Sequence, residues 1–419
     1  MATVRPFRAV RPATPELAAR VASVPYDVVD TAEARQLAAG NPVSFLHVIR
    51  PEIDLPEGTD PHADEVYAQG AAAYRRLIAD GVLARDSDPG LFVYRQVMGD
   101  HAQLGVMGCC AVDEYDDDRI KKHEKTRPDK EDDRVRHLLS LPAHSEPVFL
   151  AHRDEPAIDA VVARIAARAP LYDFVAPDGV GHTVWRADAA EAEELSAAFA
   201  AVPALYVADG HHRCAAASRA RAAVRMQGAA CASAEATPEA VAAIEADNFL
   251  AVVFPAGQLQ ILPYHRVVHD LDGMTAEELL ARLREVMTVG PGGPVPSGRG
   301  RFSTYLAGTW HELAAPDAAL ADPDPVASLD AAILQSLVLA PLLGIDDPRT
   351  SQRIEFVGGI RGPEELVRRV DRRGDGVAFA LHPTSMAELM AVADASRMMP
   401  PKSTWFEPKL RSGLAVHEF

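Results

Sequence analysis

The chain has 419 residues, 48% of them hydrophobic and 24% charged, with a formal net charge of −18; this is an ordinary globular composition with room for two or three domains. The acidic balance argues against duplex nucleic acid as a partner, because such binding needs a basic face to displace counterions. No apolar run approaches the roughly 18 residues of a membrane span, and MATVRPFRAVRP lacks the apolar core of a secretory signal, so a cytoplasmic protein with no membrane partner is expected.

In chain order, VRPFRAV and SVPYDVVD read as short strands and turns, TAEARQLAAG as a helix broken at Asn41-Pro42, and FLHVIRPE as a strand. Residues 62–84 repeat apolar positions at helical spacing. GLFVYRQVM and QLGVMGCCAVDEY form a hairpin turning near Gly99-Asp100, and a charged segment follows, DDDRIKKHEKTRPDKEDDRVRHLLSL. PVFLAH is a strand, DEPAIDAVVARIAARA a helix capped by Asp154, HTVWRA a strand and AAEAEELSAAFAAV a helix. NFLAVVFPAGQLQILPYHRVV reads as two strands joined near Pro255–Gly257, and residues 288–300 are linker-like. RFSTYLAGTWHELA gives a hairpin, LDAAILQSLVLAPLLGI a helix ended or kinked by Pro341, and the C-terminal third alternates strands and helices. Without a steady βαβ period the class is α+β or mixed α/β. The expected domains are 1–195, 196–290 and 291–419. Cys109, Cys110, Cys214 and Cys231 show no C-x-x-C spacing and read as reduced thiols.

Three clusters could carry chemistry. In LYVADGHHRCAAASRARA an apolar strand stops at Asp209-Gly210 and turns into a helix, whose first N–H groups and dipole favour an anion. Gly210 permits a positive φ or close backbone approach, Arg213 can fork onto phosphate oxygens, and His211 and His212 can donate hydrogen bonds or carry a proton. Asp209 would repel a phosphate, so a different role falls to it, as metal ligand, general base or helix N-cap. Taken singly each residue reads as turn or cap; five in a row favour function. The second cluster, His123-Glu124-Lys125-Thr126 with Arg134 beyond it, departs from HExxH zinc chemistry because Arg127 stands at the fourth position. It is otherwise a solvated loop and a helix start capped by Asp132 or Asp133. The third, MMPPKSTWFEPKLRSGL, sets Lys402 beside Ser403 and Thr404 without the glycines of a P-loop, with Lys409 five residues after Thr404. Lys402 suits an anion, whereas Trp405 and Phe406 suit packing. Arg50-Pro51-Glu52 and Tyr264-His265-Arg266 are weaker signals, Tyr264 reading as structural.

Together, VPYDVV, SFLHVIRPE, HEKT with a following DDR, LYVADGHHR, PYHRVV and MPPKSTWFEPKLRSGL resemble, from end to end, a bacterial and archaeal family catalogued as a domain of unknown function. The strand–DGHHR–helix element is also similar to the ParB/sulfiredoxin-like superfamily, and its DGHxR form resembles that of free L-serine kinases. This local resemblance implies a ParB/sulfiredoxin-like nucleotide-binding core and a kinase that phosphorylates free serine or a similar hydroxylated metabolite, with ATP or ADP as donor; the charge neutralisation that phosphoryl transfer needs adds Mg²⁺ as the expected cofactor. The resemblance implies that Asp209 sits at the substrate hydroxyl or its metal, and that Gly210, His211, His212 and Arg213 hold donor phosphates. Lys402, beside the hydroxyls of Ser403 and Thr404, is read from residue type as a further phosphate contact. Glu124 and Glu52 are the options for a second catalytic carboxylate, and His123, Thr126, Arg134 and Arg50 for the substrate. A phosphohydrolase using the same pocket, and a nucleotide-binding regulatory or partner-binding protein, remain open alternatives. The partners expected are a small molecule and a nucleotide, and a homodimer is compatible with the sequence.

Overall fold

A computed structural model of the chain describes residues 2–229 and 244–419; Cys231 lies outside the described residues. The architecture is α+β, and the chain forms two compact units, residues 1–259 with 408–419 and residues 260–407.

The first unit is built on a nine-stranded sheet whose path runs Ile120–Lys121, Leu205–Asp209, Val148–His152, Asn248–Pro255, His101–Ala111, Phe92–Met98, Gly181–Arg186 and Tyr172–Val175, with Val4–Arg5 pairing off His101–Ala111. The central strands, VFLAH and NFLAVVFP, are buried along their whole length, which explains their unbroken apolar runs. Helices Pro156–Ala166 and Ala189–Ala200 add Ile158, Val161, Ile165, Leu195 and Phe199 to the same core as Val148, Leu150, Phe249 and Val253. Each such side chain contributes about 1.5–3 kcal/mol through burial. A second sheet joins Leu83–Arg85, Ala9–Pro12, Val416–Glu418 and Ala143–His144, so both chain termini are stitched into this unit.

The second unit holds a six-stranded sheet in the order Thr288–Pro291, Thr309–Ala314, Arg301–Leu306, Val377–Leu381, Tyr264–Val268 and Ile354–Gly358. Gln260–Leu262 pairs antiparallel with Trp405–Glu407, Gln260 opposite Glu407, so the chain enters and leaves this unit on neighbouring strands.

Several local expectations change. SVPYDVVD is mainly bends and turns, and FLHVIRPE is a short helix, Leu46–Ile49, followed by a 3-10 turn, Pro51–Asp54. Phe45, Leu46, Val48 and Ile49 are all buried, so their apolar run had no period to separate helix from strand. The helix after HEKT starts at Pro128, a proline preorganised for the first helical position, so Asp132 and Asp133 lie inside it rather than capping it. Glu155, not Asp154, caps Pro156–Ala166. Residues 288–291 of the linker-like stretch are a strand. The helix before Pro341 divides into Asp330–Leu334 and a π turn, Gln335–Leu339. The strands on either side of Pro255–Gly257 belong to different sheets. The domain boundaries at 195 and 290 do not coincide with the two units, because 205–209 and 248–255 hydrogen-bond into the same sheet as 92–111.

Candidate functional site

Ile120–Lys121 and Leu205–Asp209 are parallel neighbours, with Leu205 opposite Ile120 and Tyr206 opposite Lys121. Parallel strands end on the same side of a sheet, so the HEKT loop and the DGHHR turn leave it together, at the carboxyl end where α/β sheets present ligand sites. A register shift between Val207 and Asp209 re-aims the last residue of the strand. Gly210 follows with φ +103°, outside the range of ordinary L side chains, and a Cβ there would stand 3.2 Å from Arg213 Nε. Helix His211–Ala229 starts at once. Its alanine-rich face is buried at Cys214, Ala215, Ala216, Ala217 and Ala220, and packs on helix Pro128–Ser140, where Arg219 reaches Glu131 and Asp132.

Asp209 is the electrostatic centre. Lys409 Nζ lies 2.8 Å from its Oδ2, and an Arg213 guanidinium nitrogen 3.8 Å from its Oδ1. Burial acts to raise the Asp209 pKa, but Lys409 and Arg213 outweigh it and hold the carboxyl below the usual range. Arg213, only 8% exposed, also donates to the Pro147 carbonyl. Its guanidinium is therefore committed to fixing Asp209 and the neighbouring strand. His212 Nε2 accepts from the Arg127 N–H at 3.0 Å, which ties the HEKT loop to the helix start. His123 and His211 are buried and meet edge to face, ring centroids 4.4 Å apart. Burial keeps both imidazoles neutral, His123 down to about 4 and His211 well below its ordinary value. Glu124 is exposed beside them, and Thr126 is half-buried in the same loop.

Behind this lies a buried polar layer. Arg134 binds Asp133 through Nε at 2.9 Å and a terminal nitrogen at 2.7 Å, reaches Glu146 at 3.3 Å, and stands 3.7 Å over the Tyr26 ring. Tyr26 N–H donates to Glu146, and Arg50 donates to the Tyr26 carbonyl. Asp27, on the same VPYDVV turn, acts electrostatically on both His212 and Arg213. Glu52 is buried in an ion pair with Arg50 at 2.9 Å and accepts from Thr31. Arg134, Arg50 and Glu52 are thus engaged with partners inside this layer rather than with Asp209.

The remaining expected residues lie in the other unit. Lys402 has φ +54° and its ammonium stands 5.5 Å from the Tyr264 ring centre. Ser403 donates to the Pro400 carbonyl, and Thr404 follows in the same loop. Trp405 packs edge-on against Tyr264 and Phe406 is buried, as the packing reading expected for both aromatics and for Tyr264. The residue that sequence reasoning left out of the site is Lys409. It lies only two residues past the strand Trp405–Glu407, yet it belongs to the first unit and is the partner of Asp209. Its position five residues after Thr404 was the available signal; a salt bridge spanning 200 residues leaves none in local spacing. Glu146, Asp133 and Tyr26 were missed as a buried charge layer for the same reason.

Asp209 was also expected to hold Mg²⁺. Two cations already occupy its carboxylate, and Mg²⁺ demands near-octahedral oxygen ligation, so these residues do not fit that ion. The group among the described residues with metal-ligand spacing is His123, Glu124 and His211, whose ligand atoms all lie within 4.8 Å of one another. No described helix is long and apolar enough to cross a membrane.

A family model described as "Protein of unknown function (DUF1015)" matches residues 4–332. No curated protein matches the chain. Solved structures similar to it include a free serine kinase in complex with AMP (12% identity, TM-score 0.33, covering 74% of this chain and 92% of that one). A conserved hypothetical protein from Pyrococcus furiosus is similar at 12% identity and TM-score 0.34, with 74% and 95% of the two chains covered. SbnI with a C-terminal truncation, from Staphylococcus aureus, is similar at 13% identity and TM-score 0.37, with 74% and 87% covered.

Proposed function

The chain belongs to the DUF1015 family of proteins of unknown function, and for it we propose a phosphotransferase that moves a phosphoryl group from ATP or ADP to the hydroxyl of free serine or a similar small metabolite. One observation carries the reading. A carboxylate held ionised by Lys409 and Arg213 ends a buried strand, and a positive-φ glycine turns the chain directly into the N-terminus of a 19-residue helix.

Phosphoryl transfer calls mainly for positioning and charge stabilisation, since charge spreads over the transferred oxygens. In this reading the first N–H groups of the helix and its dipole face the donor phosphates, as they do at other helix N-termini. Asp209 accepts a hydrogen bond from the acceptor hydroxyl and orients it for in-line attack. The proton leaves late in a loose transition state, so a carboxylate of low pKa can take it. Lys409 neutralises charge on both sides of the transfer, while Arg213 keeps Asp209 in place. The ParB/sulfiredoxin-like character of the strand–turn–helix element, inferred from DGHHR, is part of the same proposal.

A coupled assay of the full chain with ATP, ADP or pyrophosphate and a panel of free serine, other hydroxylated amino acids and polyols tests it. Donor consumption with a phosphorylated acceptor is expected, falling at least about 100-fold in Asp209→Asn, the range general-base removal produces. No consumption above that variant across the panel would sink the proposal. Inorganic phosphate without phosphorylated acceptor would instead mark a phosphohydrolase.

A further inference from the structure

We propose that His123, Glu124 and His211 form a zinc-class metal site, built from two imidazoles and one carboxylate and separate from the Asp209–Lys409 pair. The placement follows from topology. His123 comes two residues after strand Ile120–Lys121 and His211 two residues after Leu205–Asp209, and these strands are parallel neighbours. One ligand atom from each of the three residues lies within 4.8 Å of the other two. Ligands about 2.0–2.2 Å from one ion stand roughly 3.4 Å apart when tetrahedral. The exposed Glu124 carboxylate can rotate through the difference, while the two buried rings already touch.

Second-sphere contacts hold both rings: the His123 backbone N–H donates to His211 Nε2 at 3.4 Å, a long contact that a metal on that nitrogen would replace. The His123 ring donates to the Val207 carbonyl, which orients it and leaves the lone pair on its other nitrogen. Metal-bound histidines are held this way almost without exception. Both rings are buried. The donor set selects the ion: two nitrogens and one oxygen suit zinc and its borderline neighbours, whereas Mg²⁺ seeks oxygen alone. Three protein ligands with the carboxylate at the surface leave a coordination position open to water or a ligand oxygen, the pattern of zinc sites that do chemistry.

The full chain, stripped with a chelator and titrated with Co²⁺, tests the assignment. One Co²⁺ should bind per chain with the intense visible bands of four- or five-coordinate cobalt, be displaced by one Zn²⁺, and persist under a 100-fold excess of Mg²⁺. Glu124→Gln, which alters an exposed side chain and leaves the fold intact, should weaken Co²⁺ binding at least tenfold, and His211→Gln should abolish the bands. Asp209→Asn should bind as the parent does. Six-coordinate cobalt bands only, or affinity unchanged in Glu124→Gln, overturns the site. Because the readout is metal binding, it stands whether or not phosphoryl transfer is found.

Discussion

Asp209 ends its strand 24% exposed, with a lysine 200 residues downstream on one oxygen and an arginine near the other. Its folded pKa is depressed, so its stabilising pairing is complete above the unfolded value of about 3.9 and is lost as pH falls toward the folded one. Removing Lys409 takes away the largest opposing pull and lets burial raise the carboxyl. In Lys409→Met the acid limb of the transfer rate should therefore move up by at least about one pH unit, with a stability loss of about 1–3 kcal/mol for the lost charged hydrogen bond. Lys409→Arg, which keeps the charge, should return the limb most of the way. A pH–rate profile of kcat/KM for the three proteins reads this, and superimposable acid limbs would refute the coupling. Asp209, Gly210 and the histidines were legible as a cluster because they are contiguous at a strand–helix joint. What each does was not, because Arg213 turned inward to Pro147 and His212 to the HEKT loop.

Helix Pro128–Ser140 shows how an element decides a role that residue type alone leaves open. DKEDDRVRHLLS looks like a solvated charge run, and Asp132 behaves that way, pairing with Arg219 at the surface. One position on, Asp133 and Arg134 turn to the buried face, where Arg134 meets Asp133, Glu146 and the Tyr26 ring. Asp133 is pushed down to about 2: burial raises it, and Arg134 with the Tyr67 hydroxyl more than reverses this. Burial pushes the Glu146 carboxyl up instead. Arg134→Met would leave both carboxylates without their shared cation, and should cost about 3–5 kcal/mol, the penalty of breaking a buried pair from one side. Urea unfolding at pH 7 measures it; a loss under about 1 kcal/mol, the size of an exposed pair, would mean that water reaches this layer. The helix itself was visible in the sequence. Its start was not, since an aspartate cap and a proline at the first turn compete and here the proline set the boundary.

At the scale of the molecule, the second unit is inserted in the chain of the first. Gln260 and Glu407 face each other across an antiparallel pair, so residues 259 and 408 stand close together, at roughly the 5 Å spacing of paired strands. A four-residue Gly-Ser loop replacing 260–407 should therefore preserve a cooperative melt of the first unit, with the Asp209–Lys409 pair intact. A chain stopped at 407 loses Lys409, Arg411 and the strand Val416–Glu418, and should melt at lower temperature than the looped one. Equal melting of the two by circular dichroism would contradict the closing role of the last twelve residues. The sequence by itself determined the α+β class, most strands and helices, and the DGHHR joint, because periodicity, turn residues and strand–helix punctuation are local. It also carried the family resemblance, in motifs spread from VPYDVV to PKLRSGL. Only the tertiary structure decided that Lys409 serves Asp209, that His123 and His211 share one end of two parallel strands, and that the C-terminal segment returns to the first sheets. Those pairings join residues from about 90 to about 400 positions apart, and charge and burial select them only once the chain has folded.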